Sequence, residues 1–316
     1  MTTPATPATT PTYKAVALDL DGTLLQSNHQ LSDESISTLR NLHGKGLTVI
    51  IATGRGASTV YEHIRRLELP VPMPLVCSNG GRGLSVPKDL TGTTPVFLSA
   101  VPSDVVKATV RFAETRGLVI QYYADDHIYA NPTSDEQNEL VKRSSAVTQS
   151  NTIFVKDDFA ELLADTDGRQ PKLPSKLIVM CYTVQDLKEL ESSYRAEIGG
   201  KDKIHLIPSK SSMVVDGKPY YCFLEILHPD ANKGKGLKKM LDVLSIDLKD
   251  CVAFGDQGND YEFIQMAGRG IVMKNGINEL KAVADEVIDF TNDEHGVAKT
   301  LDRMDKEGMF DYSKGE

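Results

Sequence analysis

The amino-acid sequence predicts an α/β protein with a doubly wound, mostly parallel core sheet and an inserted α+β domain. The chain of 316 residues is long enough for two domains. Short apolar runs alternate with helical segments towards both ends of the chain, and this alternation is typical of βαβ units around a parallel sheet. The middle of the chain breaks that rhythm, which indicates a second domain placed inside the first.

The first part of the chain is predicted to hold three strands and two helices. Ser32 can accept hydrogen bonds from the first amides of a helix, and the glycines at 44 and 46 end that helix. A proline-rich stretch at 70–74 stops the second helix. The predicted elements are a strand at Lys14–Leu20, a helix after Ser32, a strand at Leu47–Ala52, a helix at Ser58–Leu67 and a strand at Leu75–Cys77.

Residues 84–228 are predicted to form the α+β insert. Asp216-Gly217 is a strong hairpin turn, and the polar stretch Asp165–Ser175 is typical of a surface loop. The predicted helices are Ser103–Arg116 and Val184–Ile198, and the predicted strands are Leu118–Tyr123, Lys176–Cys181, Ile204–Ile207, Met213–Val215 and Tyr221–Leu227. The catalytic core is then expected at 13–83 and 229–316, and the Thr/Pro-rich start at 1–12 is expected to be a disordered tail.

The βα rhythm returns in the last third of the chain. A loop after the apolar run Cys251–Phe254 leads into a helix that begins near Asp260. The other predicted elements are helices at Gly234–Leu244 and Gly296–Lys306 and short strands at Ile271–Met273 and Glu286–Ile288.

The composition excludes several classes of partner. With 35 Lys and Arg against 44 Asp and Glu, the net charge is −9, so the chain lacks the broad basic face that nucleic acids and anionic membranes require. A membrane span would need a run of about 18 apolar residues, which the sequence does not contain. Three of the four widely spaced cysteines lie in apolar runs, which predicts buried thiols in a reducing, cytoplasmic compartment. A monomer is the default expectation.

Polar residues follow four of the predicted core strands. In open parallel sheets, ligands bind outside the carboxyl ends of the strands, so we expect these side chains to meet at one rim. In chain order they are Asp19, Asp21, Thr53, Gly54, Arg55, Asn79, Asp256 and Asp260.

Asp19 and Asp21 flank a single residue, and two such carboxylates can have different catalytic roles in phosphoryl transfer. One can attack phosphorus to give an aspartyl phosphate, while the other protonates the leaving alcohol and later deprotonates water. Taken alone, the Asp-x-Asp-Gly pattern is better explained as an ordinary strand-to-turn sequence, with Asp21-Gly22 in the turn. Asp19 is different because it lies inside an apolar run, where a charge needs a partner.

Asp256 and Asp260 add negative charge at the same rim, which predicts a bound cation. Mg²⁺ takes oxygen ligands and often combines one or two carboxylates with a substrate phosphate. Asp256 follows a short apolar strand and is the better ligand candidate. Asp260 can instead cap the helix that follows it or support the metal site from outside.

Thr53 and Lys233 admit two interpretations each. The Thr53 hydroxyl and the Gly54 amide can donate to a phosphate oxygen, but Thr53 can also cap the next helix. Lys233 opens a helix, where its charge opposes the helix dipole unless an anion lies nearby. Three further lysines follow within six residues, so spacing alone favours a solvated Lys233.

Four motifs in this order resemble those of the haloacid dehalogenase superfamily of phosphohydrolases. The long insert between the second and third motifs is similar to that of the Cof-like sugar-phosphatase branch, and so are NG at Asn79-Gly80 and VMKNG at Val272–Gly276. The four motifs are DLDGT at Asp19–Thr23, ATGR at Ala52–Arg55, NKG at Asn232–Gly234 and GDQGND at Gly255–Asp260. The resemblance spans about residues 14–305 and implies a Rossmann-like core with an α+β cap that closes over the site.

The resemblance also implies a role for each matching residue. Asp19 would be the nucleophile and a Mg²⁺ ligand, and Asp21 the general acid and base, with its backbone carbonyl on the metal. Asp256 would complete the protein ligands, and Asp260 would support the metal through water or orient Lys233. The residues that would hold the phosphoryl group or the substrate are Leu20, Thr53, Gly54, Arg55, Asn79, Lys233 and Asn259.

The function expected from this match is Mg²⁺-dependent hydrolysis of small phosphorylated metabolites. A phosphomutase of the same superfamily is the nearest alternative, and a phospho-accepting signalling or binding domain is a more distant one. The substrate itself stays open among sugar phosphates, flavin mononucleotide, pyridoxal phosphate and nucleoside monophosphates. Tyr122, Tyr123, His127 and Tyr129 are candidates for contact with it, although packing within a hairpin explains most of them better.

Overall fold

The computed structural model describes residues 12–148, 150–155, 159, 172–199, 202–211, 214–215 and 217–313. Nearly all of the predicted tail, most of the predicted loop at 165–175, and Met213 and Asp216 of the predicted hairpin lie outside these ranges.

An eight-stranded sheet, here called the core sheet, is the main element of the molecule. Its order is β16-β15-β14-β1-β2-β3-β4-β5, and the strands from β16 to β3 are parallel, as predicted. Its strands are β1 (Ala15–Leu18), β2 (Thr48–Ala52), β3 (Met73–Cys77), β4 (Arg82–Val86), β5 (Thr94–Leu98), β14 (Cys251–Gly255), β15 (Arg269–Val272) and β16 (Glu286–Val287).

Helices cover both faces of the core sheet because successive side chains of its strands point to opposite sides. In β1, Val16 and Leu18 belong to one apolar cluster, whereas Ala15 and Ala17 belong to the cluster on the other face. Ser32 caps the first helix, as predicted, and accepts from the Ser35 amide. The core helices are α1 (Asp33–Lys45), α2 (Tyr61–Leu67), α6 (Lys233–Val243), α7 (Tyr261–Met266), α8 (Asn278–Lys281) and α9 (Gly296–Lys306).

The core sheet extends further along the chain than the sequence predicted. Strand β4 pairs antiparallel with β3, and β5 pairs antiparallel with β4, so both strands of the 82–98 hairpin belong to this sheet. The expected start of the insert at residue 84 therefore falls inside β4. Proline and glycine residues occur in and beside both strands of this hairpin. The sequence therefore lacks the continuous apolar pattern that identifies a strand.

A second sheet of six strands, here called the cap sheet, is inserted between β5 and β14. Its order is β10-β13-β9-β6-β7-β8, and the pairs are antiparallel except β7 with β8. A separate short hairpin, β11 (Val214–Val215) with β12 (Lys218–Pro219), lies beside the predicted turn. The cap strands are β6 (Ile120–Ala124), β7 (His127–Ala130), β8 (Thr152–Phe154), β9 (Lys176–Cys181), β10 (His205–Lys210) and β13 (Cys222–Leu227).

Within the described residues of the insert, three helices divide between the two faces of the cap sheet. Helices α3 (Ser103–Glu114) and α5 (Val184–Ile198) pack on the face that carries Tyr122 and Val179. Helix α4 (Asp135–Thr148) contributes Leu140 and Val141 to the opposite face. The four cysteines are buried and form no disulfide. Within the described ranges, no helix is both long and apolar enough to cross a membrane.

Candidate active site

The carboxyl ends of β1, β2, β3 and β14 meet at one rim, because neighbouring parallel strands end on the same edge of the sheet. A cavity of about 240 Å³ lies between this rim and the cap sheet. From the rim, Asp19, Asp21, Thr53, Arg55 and Asn259 line it. The predicted convergence of these strand ends is therefore what the structure shows.

Lys233 is the central cation of the rim. Its side chain is 1% exposed, and its Nζ donates to Asp19 Oδ1 at 2.5 Å and to Asp260 Oδ1 at 2.6 Å. Asn232 caps helix α6 by accepting from the Lys235 amide, which places Lys233 at the first helical position. The interpretation of Lys233 as a solvated lysine, which spacing favoured, is wrong.

Asp19, Asp256 and Asp260 form a buried acidic cluster, each offering a carboxylate oxygen within 4.8 Å of the others. Asp256 Oδ1 accepts from the Thr23 hydroxyl at 3.0 Å, and its Oδ2 accepts from Gln257 Nε2 at 3.1 Å. Such a set of hard oxygen donors suits Mg²⁺ or another hard cation.

Gly22 lets the loop after β1 approach this cluster. Its φ of +77° is left-handed, and a Cβ at this position would lie 2.3 Å from Asp256 Oδ2. A side chain here would push Asp256 away, so the glycine of the first motif is required by close approach as well as by backbone conformation.

Burial and mutual repulsion make the cluster electrostatically costly. Burial raises the pKa of Asp19 well above its ordinary value, with Asp260 and Asp256 adding to the rise and Lys233 opposing it. Burial, assisted by Asp260, also raises the pKa of Asp256 to about 6. For Lys233, burial alone would lower the pKa, but Asp19 and Asp260 outweigh it and raise the pKa above the ordinary lysine value. A further cation beside the cluster would favour the ionised forms of Asp19 and Asp256.

Asp260 has both carboxylate oxygens occupied by protein donors. Oδ1 accepts from Lys233, and Oδ2 accepts from the backbone amides of Asp256 and Gln257 at 3.0 Å each. It does not cap α7 with its side chain, which was one of its two predicted roles. These bonds tie the loop after β14 to Lys233.

Asp21 is turned towards Arg55 rather than towards the acidic cluster. Arg55 Nε donates to Asp21 Oδ2 at 2.7 Å, and Arg55 Nη2 donates to Asp21 Oδ1 at 2.5 Å. His29 Nδ1 lies 3.3 Å from the same Oδ1. Partial burial raises the pKa of Asp21, but the hydrogen bonds from Arg55 and His29 outweigh it and hold the pKa well below its usual range. Asp21 is therefore ionised in this arrangement.

The loops after β2 and β3 form the rest of the phosphate-side rim. Thr53 is buried, and its hydroxyl accepts from the Arg55 amide at 3.1 Å, so it shapes its own loop and caps no helix. Asn79, in a left-handed conformation, accepts from Asn259 Nδ2 at 2.9 Å. Leu20 is fully buried, and its carbonyl accepts from the amides of Thr23 and Leu25.

A buried ion pair of the cap sheet reaches into this rim. Lys176 Nζ donates to Glu225 Oε2 at 2.6 Å and also to the carbonyl of Gly54 at 2.9 Å. Glu225 Oε2 accepts in addition from Asn79 Nδ2 at 3.2 Å. Both charged side chains are less than a tenth exposed. The cap sheet is thus hydrogen-bonded to two loops that sequence reasoning assigned to the substrate phosphate.

Sequence reasoning missed several residues that the structure brings to the site. Thr23 and Gln257 lie in the first and fourth motifs and could have been found there, but the others lie outside the four motifs. Of the four aromatic candidates, Tyr123 lines the cavity, whereas Tyr122 and Tyr129 pack on the other face of the cap sheet and His127 is exposed. The missed residues are Thr23, His29, Gln121, Lys176, Glu225 and Gln257.

A family model described as haloacid dehalogenase-like hydrolase matches residues 16–301, which is most of the chain. A crystal structure of a haloacid dehalogenase-like hydrolase from Bacteroides thetaiotaomicron superimposes with a TM-score of 0.75 at 24% identity, covering 92% of this chain and 99% of that one. This likeness confirms the predicted fold class.

Two relatives carry the names of phosphatases. The chain is 26% identical over 309 residues to the 5-amino-6-(5-phospho-D-ribitylamino)uracil phosphatase YwtE of Bacillus subtilis, covering 92% of this chain and 98% of that protein. It is 29% identical over 269 residues to the HMP-PP phosphatase of Shigella flexneri, covering 85% of this chain and 87% of that protein.

The position of Lys233 yields a prediction for stability. Lys233→Met keeps most of the side-chain volume but leaves Asp19 and Asp260 buried without their counter-charge, so we expect the free energy of unfolding to fall by about 3–5 kcal/mol at pH 8. The loss should shrink towards pH 5. Burial raises the pKa of Asp19 in the folded state, so protonation of Asp19 stabilises the fold at low pH. This contribution is lost as the pH rises through the folded-state pKa, and the destabilisation is therefore larger at pH 8 than at pH 5.

Urea denaturation followed by circular dichroism at both pH values measures this effect. Lys235→Met is the matched control, because Lys235 pairs with Asp230 at the surface with its side chain 46% exposed, and we expect a change below about 1 kcal/mol. Equal stability of Lys233→Met and Lys235→Met at pH 8 would contradict the buried ion-pair assignment.

Proposed function

Because the chain belongs to the haloacid dehalogenase-like hydrolase family, we propose that it is a Mg²⁺-dependent phosphatase that hydrolyses small phosphate monoesters through an aspartyl phosphate. The observation that carries the proposal is the contact of Lys233 with Asp19 and Asp260 beside Asp256. A buried carboxylate held by a lysine next to two more acids is costly for stability alone, and it is suited to binding a charged group.

The residues of the acidic cluster fit a divalent cation. When ionised, the three carboxylates carry three negative charges against the one positive charge of Lys233, and a divalent ion would balance the remaining two. Asp19 and Asp256 would hold the ion through side-chain oxygens, with the backbone carbonyl of Asp21 beside them, and Asp260 would act from outside since its oxygens are occupied. When bound, Mg²⁺ would neutralise charge on the transferring phosphoryl group.

Asp19 is the proposed nucleophile. Its Oδ1 is held by Lys233, so the second carboxylate oxygen attacks phosphorus while the bond from phosphorus to the leaving alcohol breaks. Lys233 keeps the attacking group oriented and reduces its repulsion from the anionic ester. The product of this step is a phosphorylated Asp19 and a free alcohol.

Asp21 is the proposed proton carrier. It gives a proton to the departing alcohol oxygen, and it then takes one from the water that attacks the phosphorylated Asp19 and releases inorganic phosphate. The Arg55 ion pair keeps Asp21 ionised in the resting arrangement. The acid step therefore requires Asp21 to leave Arg55 and to take up a proton from solvent once an ester occupies the cavity.

The loops of the rim are proposed to hold the phosphoryl oxygens. Donors available there are the Thr53 hydroxyl, the backbone amides of Leu20 and Gly54, and the side-chain amide of Asn259. Thr53 and Asn259 line the cavity, and Asn79 holds Asn259 by a hydrogen bond. Phosphoryl transfer depends mainly on such positioning and on charge neutralisation.

Removing the nucleophile should abolish turnover. We expect Asp19→Asn to lower the rate of phosphate release at least about 10³-fold, because an amide does not form the acyl phosphate. Inorganic phosphate is measured colorimetrically with p-nitrophenyl phosphate and Mg²⁺. Asp33→Asn, on the exposed first turn of α1, is the control and should leave the rate unchanged. Near-normal turnover by Asp19→Asn would contradict the assignment.

Removing the proton carrier should separate the two steps. We expect Asp21→Asn to slow steady-state release about 10²–10⁴-fold. With p-nitrophenyl phosphate the leaving group needs no proton, so one equivalent of p-nitrophenolate should appear in a rapid burst before the slow phase. A variant that turns over at the wild-type rate, or that slows without a burst, would argue against a role of Asp21 in the second step.

Metal dependence is testable directly. Treatment with excess EDTA should abolish phosphate release, and added Mg²⁺ should restore it. We expect Asp256→Asn to raise the Mg²⁺ concentration for half-maximal rate at least about tenfold, a typical loss for a lost or weakened metal ligand. Full activity in EDTA, or an unchanged Mg²⁺ requirement in Asp256→Asn, would remove the metal from the proposal.

A further inference from the structure

The far wall of the cavity is one face of the cap sheet. Alternate residues of a strand point to the same side, and the register places Gln121 and Glu225 on either side of Ile178. Phe223 pairs with Met180 on the same face. Tyr123 and Tyr221 complete an aromatic and aliphatic surface in contact with the cavity.

The polar groups of this wall bond mostly to one another. Tyr221 donates to the Ser144 hydroxyl at 3.1 Å, and Tyr123 donates to Gln121 Oε1 at 3.2 Å. Lys176 donates to Glu225 and to the Gly54 carbonyl. A ligand that enters the cavity therefore meets donors that are already directed at protein atoms.

Gln121 Nε2 is the exception. The side chain is 1% exposed and lines the cavity, yet its Nε2 has no hydrogen-bond partner in the described part of the chain. A buried amide donor without a partner is destabilising, and proteins seldom keep one unless a ligand or water accepts from it. On the cap-sheet wall, Gln121 Nε2 is thus a donor free to meet a ligand beside polar groups that are bonded to protein atoms.

We propose that the leaving group of the substrate is a single planar heteroaromatic ring, with a ring nitrogen or a carbonyl oxygen that accepts from Gln121 Nε2. This inference rests on the proposed phosphatase function and specifies its substrate class. Tyr123, Tyr221, Phe223 and Met180 offer ring faces, ring edges and a thioether to a flat apolar group.

Cavity size and wall chemistry both restrict the ring system. A volume of about 240 Å³, which must also hold the phosphoryl group, lies below the roughly 300–1,000 Å³ of pockets for drug-sized ligands and leaves room for one ring. A polyhydroxylated sugar would lose water from each hydroxyl and find the donors of the wall engaged elsewhere. The wall therefore favours the ring over the sugar.

Steady-state kinetics on three esters tests this. Pyridoxine 5′-phosphate carries a ring acceptor, benzyl phosphate is its carbocyclic counterpart with a similar leaving alcohol, and glucose 6-phosphate represents the sugars. We expect the wild type to show a kcat/KM for pyridoxine 5′-phosphate at least about tenfold above that for glucose 6-phosphate, a factor that one hydrogen bond to the ring can supply.

Two variants of Gln121 isolate its donor. Gln121→Leu removes the amide, and Gln121→Glu keeps the shape and the bond from Tyr123 but has no N–H when ionised. Both should lower kcat/KM for pyridoxine 5′-phosphate about tenfold, chiefly through KM, and leave benzyl phosphate within about threefold. Gln185→Leu on the exposed side of α5 is the control and should change neither.

The outcomes separate the two proposals. If no ester releases phosphate, the proposed function fails. If phosphate is released but glucose 6-phosphate is hydrolysed as well as pyridoxine 5′-phosphate, or both Gln121 variants lower the two ring substrates equally, the function stands and the inferred substrate class is overturned.

Discussion

The hydrogen bonds from Lys233 to Asp19 and Asp260 are the interaction on which the site depends. They join the end of β1, the start of α6 and the loop after β14 through one buried ammonium group. Each of these ions alone would be strongly disfavoured away from water, and the three are tolerated because they satisfy one another. The orientation of Asp19 is therefore set by how closely helix α6 packs against the core sheet.

That packing is possible because two backbone segments touch directly. A Cβ on Gly236 of α6 would lie 2.7 Å from the Cα of Gly80, in the loop after β3. The same loop carries Asn79, which bonds both Asn259 of the rim and Glu225 of the cap sheet. Helix α6, the loop after β3 and the cap sheet thus form one connected support around the carboxylates.

The sequence sufficed for the parts of the structure that follow from local pattern and sheet geometry. Apolar runs located the parallel strands, and the rule that ligands bind beyond their carboxyl ends placed Asp19, Thr53 and Asp256 at one rim from the sequence alone. The order of the short motifs then identified the family, although each motif alone had an ordinary structural explanation.

The remaining features depend on contacts between distant segments. Lys233 and Asp19 are 214 residues apart, and the lysine is buried only because its helix docks on the sheet, which neighbouring lysines cannot reveal. Alternation places Gln121 and Tyr123 opposite Tyr122, but it does not say which face meets the cavity. The direction in which Asp21 turns is likewise a matter of side-chain rotamer, and Arg55 decides it by a bidentate bond.

The bond from Lys176 to the Gly54 carbonyl has a consequence for how a ligand gains entry. Any separation of the cap sheet from the core would take this ammonium away from one of its two acceptors and expose its pair with Glu225 to water. This bond therefore stabilises the arrangement in which the cap sheet contacts the core, even when the cavity is empty. If entry of an ester required the two sheets to separate, its observed affinity would be the intrinsic affinity scaled by the fraction of molecules in the separated state.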